Sequence, residues 1–398
     1  RAMAAAEALD RDLAAGVIRG PLHAIPIGIK DIIDVAGLPT AAGSQLLREQ
    51  IAAVDAPLVS RLRAAGAVIL GKTVTTQFAC YDPPVTRNPW NREQTPGGSS
   101  SGSAAAVAAG MCLAAIGSQT GGSITRPAAF CGVCGCKPSY GRVSLAGVVP
   151  LASSLDHMGP IARTVNDLAI LLDVMAGPDP SDARSLTLPE LRLSGGMQAG
   201  NMAAPRIGVL QNLYDKASPA AIQSIQQAAG WFRAADATVV DIPLPDAMTS
   251  VHRHHRTVMA AEAAAWHRER FERHPEDYQP RMAEFIQEGL GLQATAYVDA
   301  KEYQADAAAA INLVFCEVDV LICPSATGAA PGPETTGDPG FNSPWSFTGL
   351  PTVTVPCGLT EEGLPLGLQI IGPAGAETRL FPVAAWCEET LRQHLQPE

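Results

Sequence analysis

Short apolar runs alternate with amphipathic stretches along most of this chain. Ala2–Ala15 has helical spacing and stops at Gly16, a residue suited to a helix C-terminus. Pro21–Asp31 reads as a buried strand that ends in the charged pair Lys30-Asp31. Pro57–Gly66 is helical, and the compact apolar run Ala67–Leu70 is a strand stopped by Gly71. Ser101–Gly110 predicts a helix of small residues, with Ser101 or Ser103 as its N-cap. Met111–Gly117 predicts a strand, and Thr164–Ala176 an amphipathic helix closed by Gly177-Pro178. A strand (Ile207–Leu210), a helix (Ser218–Ala234) and a strand (Thr238–Ile242) follow. Between Met248 and Phe315 strand signals vanish and the pattern is helical. Val318–Cys323 is a strand, Pro324–Pro344 a long Pro/Gly-rich loop, Thr352–Pro356 and Leu366–Ile371 two more strands, and Glu377–His394 a final helix. Strands and helices that alternate in this way predict a wound α/β sheet.

Composition narrows the function classes. At 398 residues, with 47 % apolar and 17 % charged residues, the chain is globular and can bury a large core. A net charge of −11, with no basic tail or Lys/Arg run, argues against a nucleic-acid partner. No apolar stretch approaches the ~18 residues a membrane helix needs. Nine cysteines, an odd number in a long chain, suit reduced thiols and a cytoplasmic setting. Arg1 opens the sequence inside a helical pattern, so an upstream segment is expected to be missing from it.

Several local patterns suggest chemistry, and physical context separates them. Gly66–Thr73 matches the phosphate-binding pattern G-x-x-x-x-G-K-T, but its four intervening residues, Ala-Val-Ile-Leu, read as strand. Backbone N–H groups already used by a sheet cannot cradle an anion. Gly98–Gly102 matches the nucleophile elbow G-x-S-x-G, yet no strand precedes it. His394 lies too near the C-terminus to complete that triad, and His252, His254 and His255 read as the solvated face of a helix beside Arg253 and Arg256. Cys131, Cys134 and Cys136 lack a fourth ligand at zinc spacing and read as packed thiols, with no metal site.

The remaining pattern lies between Thr95 and Arg142. Two turns, Gly97-Gly98-Ser99 and Gly121-Gly122-Ser123, frame an Ala-rich helix and sit 24 positions apart (123 − 99). With Pro26-Ile-Gly-Ile-Lys30-Asp31 upstream, this segment resembles the signature of the amidase signature family, Ser-Ser-Lys hydrolases of C–N bonds. Further matches are Gly141–Ser144, Val149–Ala152, Ser154–Asp156, Gly159-Pro160, Arg163–Val165 and Phe347–Pro351. The resemblance thus covers most of Pro21–Ala176 and Val318–Gly372, with a dissimilar middle. It implies one domain over 1–398 with a large mixed sheet covered by helices on both faces (α/β/α). It also implies that 248–317 is a variable helical region over the substrate.

By the same resemblance Ser123 is the nucleophile, Ser99 the bridging serine with a cis peptide at Gly98-Ser99, and Lys30 the base, while Lys72 is structural. Lys30 ends an apolar strand, and burial favours the neutral amine such a base needs. The consecutive N–H groups of Thr120, Gly121, Gly122 and Ser123 would hold the oxyanion, with no cofactor required. Three departures bear on the substrate: Gln119 where many members carry Asp, Ser99-Ser100-Ser101-Gly102 in the first turn, and arginine at 126 rather than one place earlier. Arg126 resembles the carboxylate-binding arginine of malonamidase-like members, and reads equally as a brace for its loop. Gln119, Phe341 and Trp345 are further substrate-contact candidates, and Phe341 and Trp345 with Met248 suggest aryl amides, anilides, carbamates or urethanes. The expected activity is hydrolysis of a small amide or carbamate by a monomer or homodimer. The alternative is the ammonia-supplying glutaminase component of a tRNA-dependent amidotransferase.

Overall fold

A computed structural model describes residues 1–194, 203–210 and 215–395. The first half holds α1 (Ala2–Ala14), β1 (Pro26–Lys30), α2 (Pro57–Ala64), β2 (Val68–Thr73), α3 (Ser101–Ala108), β3 (Ala114–Gln119), α4 (Thr125–Phe130), β4 (Cys134–Lys137), β5 (His157–Ala162) and α5 (Val165–Met175). After it come β6 (Arg206–Val209), α6 (Pro219–Ala234), β7 (Thr238–Asp241), α7 (Val251–Arg273), α8 (Pro280–Leu290) and α9 (Ala294–Val314). The chain closes with β8 (Val320–Pro324), α10 (Ser343–Phe347), β9 (Thr352–Leu359), β10 (Pro365–Ile371) and α11 (Glu377–Leu395). Helix starts follow local chemistry. Thr164 and Ser218 cap α5 and α6 through side-chain oxygens that accept from Asp167 N and Ala221 N, and Pro219 fills the first turn of α6.

The ten strands of the described residues form one sheet in the order β2-β1-β3-β5-β4-β9-β10-β8-β6-β7. β1 pairs parallel with β2 and β3, and β6 pairs parallel with β7 and β8. The five pairings between these flanks are antiparallel. Alternate residues of β3 sort to opposite faces: Ala115 packs with Ala104, Val107 and Ala128 of α3 and α4, whereas Ala114 and Ile116 join the core containing α2 and α5. Helices therefore cover both faces of a mixed sheet, as the resemblance implies.

Two central strands carry no period-2 signal. β4 and β5 are buried throughout, and β5 includes Gly159-Pro160, residues that ordinarily argue against a central strand. Gly159 is required there: a Cβ would lie 2.0 Å from the Cys136 carbonyl oxygen. β2 likewise runs through Gly71 to Thr73, where the sequence suggests a stop, because its register against β1 shifts between Ile27 and Gly28.

Candidate active site

Lys30 ends β1 beneath the two Gly-Gly turns. Its side chain is fully buried, and Nζ lies 2.7 Å from Ser99 Oγ, 3.1 Å from Ser100 Oγ and 2.6 Å from Ser118 Oγ. Burial lowers its pKa well below the ordinary lysine value, with the charge of Asp156 opposing. Hydrogen counting then assigns directions for a neutral amine. Ser100 Oγ donates to Ser118 O and accepts from Ser118 N, so towards Lys30 it acts as acceptor. With Ser118 taking the second N–H, the lone pair of Nζ is left for the Ser99 hydroxyl.

The Gly98-Ser99 peptide is cis. Ser100 bridges the two turns, and Gly117 makes room for it, since a Cβ there would sit 2.8 Å from Ser100 Oγ. Ser123 opens onto a cavity of about 220 Å³ that Lys30 and Ser99 do not reach. Its Oγ has no hydrogen-bond partner among the described residues. The cavity wall also includes Thr120, Gly121, Gly122 and Arg126, with Tyr81, Leu151 and Met259 as apolar surface. The backbone N–H groups of Thr120, Gly121, Gly122 and Ser123 have no acceptor among the described residues.

The other substrate candidates divide. Arg126 lines the cavity; its Nε donates to Thr336 O and its Nη2 to Gly98 O, while Nη1 is buried without a partner among the described residues. Burial pulls its pKa down to about 10, so it stays charged. Gln119 is fully enclosed: its side-chain oxygen accepts from Ile124 N and Thr125 N, and its amide donates to Ser346 Oγ. It starts α4 and does not line the cavity. Phe341 and Trp345 do not reach the cavity either. Both are packed in the core, where Trp345 Nε1 donates to Phe341 O. Lone aromatics in a Pro/Gly-rich stretch suggest a binding loop, but here they anchor α10.

Lys72 lies in β2, tied to Asp31 at 2.8 Å and to Pro39 O at 3.0 Å. No loop opens around it, which removes the phosphate-cradle geometry. Lys72→Ala is expected to leave kcat within about threefold while lowering stability by about 1–3 kcal/mol; activity assays and denaturant midpoints check both. Cys131, Cys134 and Cys136 are buried free thiols, as packing predicts.

The α7 histidines overturn the solvated-face reading. His252 and His255 line the cavity with Arg256 and Met259, and His255 is buried. The spacing 252, 255, 259 is one helix face, a signal visible in the sequence but masked there by the intervening arginines. The β8–α10 loop adds Thr336, Asp338, Pro339 and Gly340 to the wall, which Ala79, Cys80, Lys216 and Ser343 also line.

Comparison with known proteins matches residues 1–381 to the family described as Amidase. The chain is 37% identical over 436 residues to the A subunit of glutamyl-tRNA(Gln) amidotransferase from Thermosynechococcus vestitus, covering 100% of this chain and 90% of that one. A native peptide amidase from Stenotrophomonas maltophilia superposes with TM-score 0.87 at 33% identity, over 100% of this chain and 88% of that one. A structure from an unexpected vestigial protein complex, linked to the origins of an s-triazine catabolic enzyme, superposes with TM-score 0.92 at 33% identity, covering 99% and 89%.

Proposed function

The chain belongs to the amidase family and is an amide C–N bond hydrolase, and from that premise we propose that Lys30, Ser99 and Ser123 form its proton relay and that its substrate carries a carboxylate. The carrying observation for the relay is the 2.7 Å contact between Nζ of a fully buried lysine and Ser99 Oγ. Neutral Lys30 accepts the Ser99 proton as Ser99 accepts that of Ser123, and Ser123 Oγ attacks the substrate carbonyl. The oxygen that gains charge meets the unengaged N–H groups of Thr120, Gly121 and Gly122. Collapse breaks the C–N bond, and the leaving nitrogen takes back the proton through the same chain. Water then attacks the acyl-enzyme, giving its proton to the relay and restoring Ser123.

For the substrate, the support is Arg126: a charged guanidinium on a cavity wall that also holds Lys216 and Asp338, with one donor nitrogen unengaged among the described residues. The aryl-amide and carbamate expectation loses its motive with Phe341 and Trp345 buried. α7 would act as part of a substrate cap over 248–317. Nine free cysteines, eight of them buried, support a reducing, cytoplasmic setting, and the acidic chain supports action without nucleic acid; the working form proposed is a monomer or homodimer.

The test is a panel of dicarboxylic-acid monoamides against the matching neutral amides and glutamine. The monoamides should have the highest kcat/KM, and Arg126→Gln should lower theirs on the order of 100-fold more than that of the neutral amides. Equal losses on both sets would refute the carboxylate reading. Glutamine as the best substrate would favour the amidotransferase component to which the chain is 37% identical.

A further inference from the structure

Along the turn that follows β3, every carbonyl is tethered while the N–H groups of Thr120–Ser123 stay unengaged among the described residues. His157 Nδ1 lies 3.2 Å from Gln119 O, and His255 Nε2 lies 2.9 Å from Thr120 O. Ser346 Oγ donates to Gly121 O at 2.8 Å, and Arg126 N donates to Gly122 O at 3.0 Å. In a trans peptide the carbonyl of one residue and the N–H of the next point in opposite directions. Holding each carbonyl therefore fixes the N–H that follows it. A glycine pair would otherwise let these planes rotate freely, because neither residue has a side chain to restrict φ.

We infer that His255 of α7, with Ser346 of α10 as its counterpart, is a positioning residue that aims the Gly121 and Gly122 N–H groups at the oxyanion. The inference rests on the reading of this turn as the oxyanion site. A carbonyl oxygen can only accept, so His255 carries its proton on Nε2. The ring is buried, and its Cε1 lies 3.6 Å from where a Gly121 Cβ would be, so it also closes the space into which the peptide would swing. Burial holds the imidazole down to about 4, which keeps it neutral with one ring proton. Thr120 is gripped from a second side, its Oγ1 donating to Asp156 Oδ1 at 2.5 Å. The device links the helical middle of the chain, which shapes the cavity, to the turn where charge develops. A cap helix that shifts would carry its histidine with it and release the Thr120 carbonyl.

The experiment compares wild type with His255→Phe, His255→Gln and Ser346→Ala. It reads kcat, KM, the thermal midpoint, and the rate at which a fluorophosphonate labels Ser123. Phenylalanine keeps the ring and removes the donor; glutamine restores a donor near the Nε2 position. Loss of an oriented donor acts on the transition state and spares ground-state binding. His255→Phe and Ser346→Ala should each lower kcat and the labelling rate about 10- to 100-fold with KM within about threefold, a smaller loss than removal of an oxyanion donor outright. His255→Gln should recover most of both. Wild-type kcat in His255→Phe, a loss confined to KM, or a glutamine variant that folds but stays as slow as phenylalanine would overturn the inference. If His255→Phe fails to fold, Ser346→Ala alone decides. A wild-type enzyme that takes no label at Ser123 would instead refute the reading of the site.

Discussion

Ser123→Ala should lower kcat by a factor on the order of 10⁵–10⁶ without disturbing the fold. The size follows from what is removed. The proposed relay ends on Ser123 and not on the other cavity-wall hydroxyls, those of Tyr81, Thr120, Thr336 and Ser343, and deleting such a nucleophile elsewhere leaves only the rate that oriented donors and substrate binding can supply. The cysteines cannot stand in: none of them except Cys80 borders the cavity, and burial raises the pKa of that thiol. Stability should change by less than about 0.5 kcal/mol, because Ser123 Oγ makes no hydrogen bond among the described residues and borders the cavity. Steady-state kinetics and a thermal melt on the same preparation check the two halves. A variant that keeps a tenth of wild-type kcat would exclude Ser123 as the nucleophile.

Lys30→Ala should cost about 10⁴-fold in kcat and should change the pH profile as well. In wild type the working form is the neutral amine, so kcat/KM rises with pH through the lowered pKa of Lys30 and levels well below the ordinary lysine range. Without Lys30 that limb disappears. Stability provides an independent sign. Between its lowered folded pKa and the ordinary value, Lys30 is protonated in the unfolded chain and neutral in the folded one. Unfolding therefore takes up a proton, and wild-type stability rises with pH across that window. Lys137, buried and held down to about 7, adds a parallel contribution. Lys30→Ala should flatten the rise but leave the Lys137 part.

How much of this was legible from the residues depended on what each signal measured. Lys30, Ser99 and Ser123 could be read because glycine pairs and an apolar strand ending in lysine are local, and the family resemblance supplied their roles. Their convergence is a property of the fold: β1 and β3 pair in register, bringing a lysine and two turns 69 and 93 positions away (99 − 30 and 123 − 30) to one end of the sheet. β4 and β5 were not legible, since strands buried on both faces show no alternation and Gly159-Pro160 imitates a turn. The α7 histidines were misread because their neighbours Arg253 and Arg256 suggest solvent, although the 252–255–259 face was present in the spacing. Gln119, Phe341 and Trp345 misled in the opposite direction. Polarity or aromaticity near a motif says nothing about which groups the backbone will consume, and here Gln119 is spent on the start of α4. The partners that orient the turn, His255 and Ser346, lie 135 and 226 positions from Thr120 (255 − 120 and 346 − 120), beyond any local pattern.

The central claim is that a buried amine activates Ser123 through Ser99. Its most direct test is fluorophosphonate labelling followed by peptide mapping in wild type, Ser99→Ala and Lys30→Ala. The account predicts one adduct, on Ser123, formed on the order of 10³-fold more slowly in either variant. An adduct on a different serine, or a Lys30→Ala enzyme labelled at the wild-type rate, would contradict it.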